Sequence, residues 1–286
     1  MPDENSSFEA SNPPPSELFR RESDTPPNVL RFRTIWISDF HLGTRGCQAE
    51  TLLDFLKYTE SDYLYLVGDI IDGWQLKNNW YWPQEHNDVI QKILRRARKG
   101  CRVFFIPGNH DEVARDFCGL YFGGVLVAND AVHTTASGKK LLTLHGDRFD
   151  AVMGYARWLA MLGDTAYTLA LNINTVFNYI RRKLGLPYWS LSAYLKFKVK
   201  KAVEFISSYE KFIAQTARRH QVSGVVCGHI HTAEMKMIAD VLYCNDGDWV
   251  ESCTALVEDG KGELRIINWV EEREKLLKQA NITLEK

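Results

Sequence analysis

Five short segments of this chain carry oxygen and nitrogen donors: Asp39-Phe40-His41, Gly68-Asp69-Ile70-Ile71-Asp72, Gly108-Asn109-His110-Asp111, His145-Gly146-Asp147 and Gly228-His229-Ile230-His231. Seven side chains among them, Asp39, His41, Asp69, Asn109, His145, His229 and His231, are of the kind that hold divalent first-row metals. That number suits two metal ions sharing one carboxylate. Asp69 can be the shared group, because a carboxylate has two oxygens and this one follows a glycine, where the backbone can turn sharply. Asp39 and His41 are separated by one residue, as are His229 and His231. In an extended segment such pairs point the same way and reach one ion. Asn109 adds a neutral amide oxygen that lowers total ligand charge, and His145 adds another nitrogen. The mixed set suits Mn²⁺ first, with Fe²⁺ or Zn²⁺ as alternatives. Each motif alone is also a good turn sequence, but turns do not explain five in this order.

Two ions a few ångström apart can trap a bridging hydroxide and clamp a phosphoryl group for in-line attack. The expected chemistry is P–O hydrolysis without a covalent enzyme intermediate. His110 is too close to Asn109 in sequence to share its direction easily, so it is expected to face the phosphate or the leaving oxygen. Asp72 can accept a hydrogen bond from His110, raising its pKa and fixing its tautomer; alternatively it caps a turn.

These residues need elements to bring them together. Apolar strands are expected at 34–38, 63–67, 102–106, 125–128, 141–144, 223–227, 236–244, 253–258 and 263–268, the last two flanking the hairpin signal Asp259-Gly260. Helices are expected at 50–58 and 86–99. In the second, Val89, Ile90, Ile93, Leu94 and Ala97 share one face, and Gly100 stops it. Asp39, Asp69, Asn109, His145 and His229 each fall just beyond the end of an apolar strand. Loops at strand ends can converge on one rim while the sheet interior stays dry.

With 286 residues, 45% hydrophobic and 25% charged, the chain can bury a substantial core in one domain. Its formal net charge of −1 provides no global field for nucleic acid, and none is expected as a partner. The six cysteines form no CxxC pair and read as reduced thiols of a cytoplasmic protein. The acidic, proline-rich N-terminal residues lack an apolar core, so no secretory signal is expected, and no 18-residue uncharged apolar run suggests a spanning helix. Residues 1–28, rich in Pro, Ser and acidic side chains, read as a flexible tail ahead of a domain at 29–286.

A helical insertion is expected at about 150–220. From Thr165 to Val203 it has no Asp or Glu, yet it carries Arg181, Arg182, Lys183, Lys196, Lys198, Lys200 and Lys201 among several aromatics. Gly185-Leu186-Pro187 separates two helical segments, the second running from near Ser190 to about Arg219. This composition suits an anionic amphiphile or a membrane surface. It equally suits a solvated face over a core stripe of Leu191, Leu195, Val199 and Val203. Trp74, Trp80, Tyr81 and Trp82 form either a substrate wall or a buried structural group. Asp246-Gly247-Asp248-Trp249 is read as a simple turn rather than part of the site.

The series D-x-H, GD-xx-D, GNH-D, H, GH-x-H resembles the calcineurin-like metallophosphoesterase superfamily over residues ~34 to ~250. The resemblance implies an α/β (α+β) four-layer fold: a two-sheet β-sandwich flanked by helices, with a helical lid insertion and the site at the strand ends. It implies that Asp39, His41, Asp69 and His231 hold one metal, and Asp69, Asn109, His145 and His229 the other. It also implies that His110 and Asp72 assist leaving-group departure. Within the superfamily the chain is most similar to the bacterial UDP-2,3-diacylglucosamine diphosphatase group. His145-Gly146-Asp147 followed by Asp150, the insertion and the length support this. That likeness implies a lipid-linked nucleotide substrate of the lipid A pathway, peripheral contact with the inner membrane, and substrate binding by Arg181, Arg182, Lys183, Lys196, Lys200 and Trp74. The well-known enzymes of that group have Arg where this chain has His110. The alternatives are a phosphodiesterase or phosphatase for a soluble nucleotide or phosphoprotein, and a non-catalytic scaffold of the same fold.

Overall fold

Among the described residues, thirteen strands form two mixed sheets. In a computed structural model of the chain, those residues are 8–9, 29–147, 183–184 and 211–284. The strands in chain order are β1 (Phe8–Glu9), β2 (Leu30–Ile37), β3 (Thr59–Leu66), β4 (Arg102–Phe105), β5 (Tyr121–Phe122), β6 (Val125–Val127) and β7 (Ala131–Thr134). They continue with β8 (Lys140–Thr143), β9 (Gly224–Cys227), β10 (Glu234–Ile238), β11 (Val241–Asn245), β12 (Thr254–Glu258) and β13 (Leu264–Asn268). One sheet runs β13-β12-β2-β3-β4-β6-β5 and the other β1-β7-β8-β9-β11-β10. Within the first, β2, β3, β4 and β6 are parallel. Within the second, β8, β9 and β11 are parallel.

The period-two side-chain alternation of strands divides the core in two. Ile35, Ile37, Leu64, Leu66, Val103 and Phe105 face the helices. Their neighbours Trp36, Tyr65, Val67, Phe104 and Ile106 face the other sheet, where Ala131, Leu141, Val226 and Cys244 meet them. Strands buried on both faces read as continuous apolar runs, which is how β2 and β3 end. Helix α1 (Ala49–Tyr58) buries Leu52, Phe55 and Leu56, and α3 (Gln84–Arg98), which follows the short α2 (Gly73–Asn78), buries Val89 and Ile93. A C-terminal helix, α4 (Trp269–Leu284), buries Trp269, whose Nε1 donates to Asp54 Oδ2 at 3.0 Å. Each large apolar side chain so buried contributes about 2 kcal/mol. Two sheets flanked by helices is the architecture the resemblance implied.

Three differences from the sequence reading have local causes. The strand expected at 236–244 is a hairpin, β10 and β11 paired antiparallel from Glu234↔Asn245 to Ile238↔Val241, because Ala239 adopts a left-handed turn conformation (φ 55°). Helix α2 was unforeseen: it is one and a half turns long, too short for an amphipathic period. Helix α4 follows the last strand directly, and its pattern was also not recognised. Phe8–Glu9 pairs parallel with β7; the rest of the expected tail lies outside the described residues.

The chain divides into two units, residues 1–147 with 216–286, and residues 148–215. Most of the insertion, including Arg181, Arg182, Lys196 and Lys200, lies outside the described residues; Lys183 is exposed. Among the described residues no helix is long and apolar enough to cross a membrane.

Candidate active site

The parallel strands β2, β3 and β4 of one sheet and β8, β9 and β11 of the other each lead into a loop of the site. The loops are stitched together by their backbones. Asp39 N donates to Gly68 O (3.0 Å), His41 N to Asp69 O (2.9 Å) and Asp72 N to Leu42 O (2.8 Å), continuing the β2–β3 pairing past the strand ends. Gly73 N donates to His110 O (3.0 Å) and Gly228 N to His145 O (3.1 Å). Asp111 ties the third loop to the second, accepting from Gly108 N (2.6 Å) and Ile70 N (2.8 Å). Arg115 ties the third to the fourth, donating to Pro107 O (3.1 Å) and Asp147 Oδ2 (2.5 Å).

The expectation that Asp39/His41 and His229/His231 sit in extended segments is corrected. Asp39 (φ 53°), His41 (51°), Asp69 (52°), His229 (73°) and His231 (51°) all lie in the left-handed region. Non-glycine residues rarely occur there, and each costs on the order of 1 kcal/mol or more. Five such residues among seven donors show a backbone bent to aim side chains inward. Gly68 (φ 82°) has no alternative: a Cβ there would lie 2.1 Å from His145 Nδ1.

The donors fall into overlapping clusters whose ligand atoms lie within 4.8 Å of one another: Asp39, His41 and His231; His41, Asp69 and His110; Asp69, His145 and His229. Asp39 Oδ1 is 3.1 Å from His231 Nε2 and 3.9 Å from His41 Nε2. Asp69 turns one oxygen to each side, with Oδ2 3.9 Å from His41 Nε2 and Oδ1 3.4 Å from His145 Nε2. Asn109 Oδ1 is 3.3 Å from His145 Nε2. The structure thus brings all seven expected donors to one rim.

The donor set fits divalent cations. His41 Nε2 is buried without a hydrogen-bond partner, a costly state in a protein alone, and Asp39 Oδ1 meets only imidazole nitrogens. The other ring nitrogens are oriented from behind: His145 Nδ1 donates to Val67 O (2.8 Å), and His41 Nδ1 is paired with Asp72 Oδ2 (3.1 Å). Such outer contacts fix the tautomer that leaves Nε2 as ligand.

Without cations, the carboxylates and imidazoles of the site pair with one another. Burial works against the Asp69 carboxylate, but the His145 hydrogen bond and charge and the His110 amide hold it well below the usual range. Burial likewise opposes Asp39, and His231 and His145 outweigh it. Burial would lower His145, yet Asp69 and Asp39 raise it to about 10.

His110 flanks the donor clusters. Its Nδ1 is 3.0 Å from Asp72 Oδ2, its Nε2 is 3.9 Å from Asp69 Oδ2, and its ring lies tilted by 36° against that of Trp74 at 4.1 Å between centroids. Asp72 does both things open to it: Oδ2 contacts the two imidazoles, while Oδ1 accepts from Gln75 N (2.8 Å) and caps α2.

A profile of calcineurin-like phosphoesterases matches residues 32–233. The chain belongs to the calcineurin-like phosphoesterase family. It is a hydrolase of phosphoester bonds, from a family that works with divalent metals. Two curated relatives, both named UDP-2,3-diacylglucosamine hydrolase, come from Chromohalobacter salexigens and Psychromonas ingrahamii. The first is 27% identical, covering 69% of this chain and 79% of the relative. The second is 26% identical, covering 82% and 96%. Among solved structures, an archaeal phosphodiesterase aligns with TM-score 0.40 and 12% identity, covering 82% of this chain and 98% of its own.

Several residues of this phosphoesterase site were not singled out from sequence. The Asp72–His41 contact joins side chains that nothing in their spacing links. Asp111 was visible as the fourth letter of GNH-D without a role; its carboxylate is a staple between loops. The reading of residues 246–249 as a plain turn is corrected. Asp246 is fully buried, and Ser38 Oγ lies 2.8 Å from its Oδ1. Trp249 N donates to Asp39 O at 3.1 Å. Trp74 is 46% exposed beside His110, and Trp80 is exposed at the surface.

Proposed function

We propose that this phosphoesterase is dinuclear and hydrolyses the diphosphate of UDP-2,3-diacylglucosamine or a related nucleotide-linked lipid. The observation that carries the two-ion reading is Asp69, whose two oxygens face two nitrogen sets. Asp39, His41, Asp69 and His231 would hold one ion, and Asp69, Asn109, His145 and His229 the other, with Mn²⁺ the first choice for such donors. When bound, the ions supply Lewis acidity toward the phosphoryl oxygens and lower the pKa of a shared water.

The chain's own residues do the rest. His110 carries a proton on Nε2 to the leaving oxygen. Asp72, 3.0 Å from Nδ1, keeps the ring oriented. The exposed face of Trp74 forms a wall for the base or sugar.

The substrate class rests on the relatives' names at 26–27% identity and on the acid-free run of Arg and Lys in residues 165–203. Exposed Phe117, Leu120, Tyr121 and Phe122 follow directly on the GNH-D loop. They support peripheral contact with the inner face of a membrane, where a lipid-linked substrate resides.

The test is Mn²⁺-dependent release of UMP from UDP-2,3-diacylglucosamine, run beside bis-p-nitrophenyl phosphate. Efficient UMP release is the expected result. Hydrolysis of the generic diester alone would refute the lipid substrate and leave the metal chemistry standing.

A further inference from the structure

Residues 245–249 leave β11 at the rim of the site, yet none of their side chains is among the seven donors. They are nonetheless tied to the segments that carry those donors. Asn245 Nδ2 donates to Gly228 O (2.6 Å), and Gly247 N donates back to Asn245 Oδ1 (3.0 Å). Asp246 N donates to Cys227 O (3.1 Å) and Trp249 N to Asp39 O (3.1 Å).

At the centre of this loop Asp246 is wholly buried, and its Oδ2 has no hydrogen-bond partner. Its Oδ1 lies 2.8 Å from Ser38 Oγ, which in turn lies 2.5 Å from Asp39 Oδ2 and 3.1 Å from Gly247 O. The packing leaves no slack: a Cβ on Gly228 would sit 2.4 Å from Ser38 Oγ and 2.7 Å from Asp39 Oδ2.

The Ser38 hydroxyl stands between two carboxyl groups. Asp39 Oδ2 already accepts from His229 N at 2.8 Å, and Asp39 Oδ1 faces the imidazoles of His231 and His41. Ser38 Oγ donates towards Asp39 Oδ2 and Asp246 Oδ1 and so ties the two carboxyl groups together. Burial also pushes the Asp246 carboxyl well above its ordinary range.

We propose that Asp246, acting through Ser38, is a positioning residue that pins Asp39 Oδ2 and so aims Asp39 Oδ1 at the metal ion shared with His41 and His231. The proposal rests on the two-ion reading. It predicts that what matters at position 246 is a hydrogen-bond partner for Ser38, not a negative charge. Asparagine supplies that partner and alanine does not. Loss of an outer partner of this kind weakens metal binding by about 10–100-fold.

The experiment is a titration of the metal-free protein with Mn²⁺, counting ions by equilibrium dialysis and following the electron-spin signal of coupled against isolated Mn²⁺. The unaltered protein and Asp246→Asn should bind two ions alike. Asp246→Ala should keep one ion, bind the second about 10–100-fold more weakly, and lose the coupled signal. Ser38→Ala, which removes a single oxygen and spares the loop, should behave as Asp246→Ala does. Thermal melts establish that each variant is folded before it is titrated.

The proposal is overturned if Asp246→Ala and Ser38→Ala bind both ions as tightly as the unaltered protein. It is also overturned if Asp246→Asn is as weak as Asp246→Ala. If the unaltered protein binds only one ion, the two-ion reading fails. The proposal is then judged on that ion alone: weakening by Ser38→Ala supports it, and unchanged affinity overturns it.

Discussion

Two buried histidine–carboxylate clusters lie along the line of strand β2, one around Thr34 within it and one just past its end at Ser38, and the two are built to opposite rules. At the Thr34 end, Glu258 Oε2 takes bonds from Thr34 Oγ1 (2.6 Å), Arg33 Nη1 (2.9 Å) and His133 Nε2 (2.8 Å). Its Oε1 takes bonds from Arg33 Nη1 (2.9 Å) and Ala136 N (2.7 Å). Tyr65 OH meets the remaining nitrogen, His133 Nδ1, at 3.1 Å. This cluster joins β2, β3 and β12 of one sheet to β7 of the other, and every polar atom of the histidine and the carboxylate is occupied. At the Ser38 end, His41 Nε2 has no hydrogen-bond partner, Asp39 Oδ1 meets only the imidazoles of His231 and His41, and both residues stand on left-handed backbone. A buried histidine beside a carboxylate is thus not in itself a site. Unmet atoms on strained backbone distinguish the end that works from the end that holds the sheets together.

Substitutions can break that comparison. The largest effect is expected for Asp69→Ala, because the group facing both nitrogen sets is lost. Catalysis should fall by several kcal/mol, roughly 10³-fold or more in kcat, with Mn²⁺ lost in parallel. Saturating Mn²⁺ should raise the melting temperature of the unaltered protein by about 5–10 °C at a hundredfold excess over Kd, and it should barely move that of Asp69→Ala. A variant that melts with the full metal-induced rise would mean that Asp69 is not the shared group.

Glu258→Ala should do the reverse. Breaking a buried pair by removing one partner costs roughly 3–5 kcal/mol, so the metal-free melting temperature should drop while the Mn²⁺-induced rise survives. The same cluster gives stability a pH dependence. Burial opposes the Glu258 carboxylate, but bonds from His133, Thr34 and Ala136 hold its pKa down to about 2 from an ordinary 4.5. A depressed carboxyl stabilises fully above its unfolded pKa and loses that contribution as pH falls through the folded one. Stability should therefore decline between pH 4.5 and about 2, and Glu258→Gln should flatten the decline, as urea melts across that range would show.

The two ends were not equally legible in the sequence. Asp39, Asp69, Asn109, His145 and His229 announced themselves because donor type and position beyond an apolar strand are local properties. The left-handed turns that aim them were hidden, since aspartate and histidine also suit the extended conformation. Partnerships across the sheets were hidden for another reason: Ser38 and Asp246 are 208 residues apart, and His133 and Glu258 are 125 apart. Nothing local marks either pair. Architecture was legible as a rhythm of strands, but the hairpin at Ala239 and the short α2 fall below the length at which a period can be counted.

A smaller effect tests the role of His110. His110→Ala should leave both ions in place and slow turnover by about 10²-fold, the usual worth of a positioned general acid. Substrates with good leaving groups, which need no proton, should lose less. Loss of metal in His110→Ala would instead assign His110 to the ligand set, as its 3.9 Å approach to Asp69 Oδ2 permits.

The smallest expected effect separates a wall from a support. Trp74 is half exposed and its ring lies tilted against that of His110 at 4.1 Å. An aromatic contact of this kind is worth about 1 kcal/mol, or about fivefold. If Trp74 chiefly receives the nucleotide, Trp74→Ala should raise KM for the nucleotide-linked substrate by about that factor, leave kcat alone, and leave the generic diester unaffected. If it chiefly steadies His110, the loss should appear in kcat for both substrates, and Trp74→Phe should restore it. The KM-against-kcat split therefore decides whether the polar end of β2 extends its satisfied outer layer as far as Trp74 or opens there to the substrate.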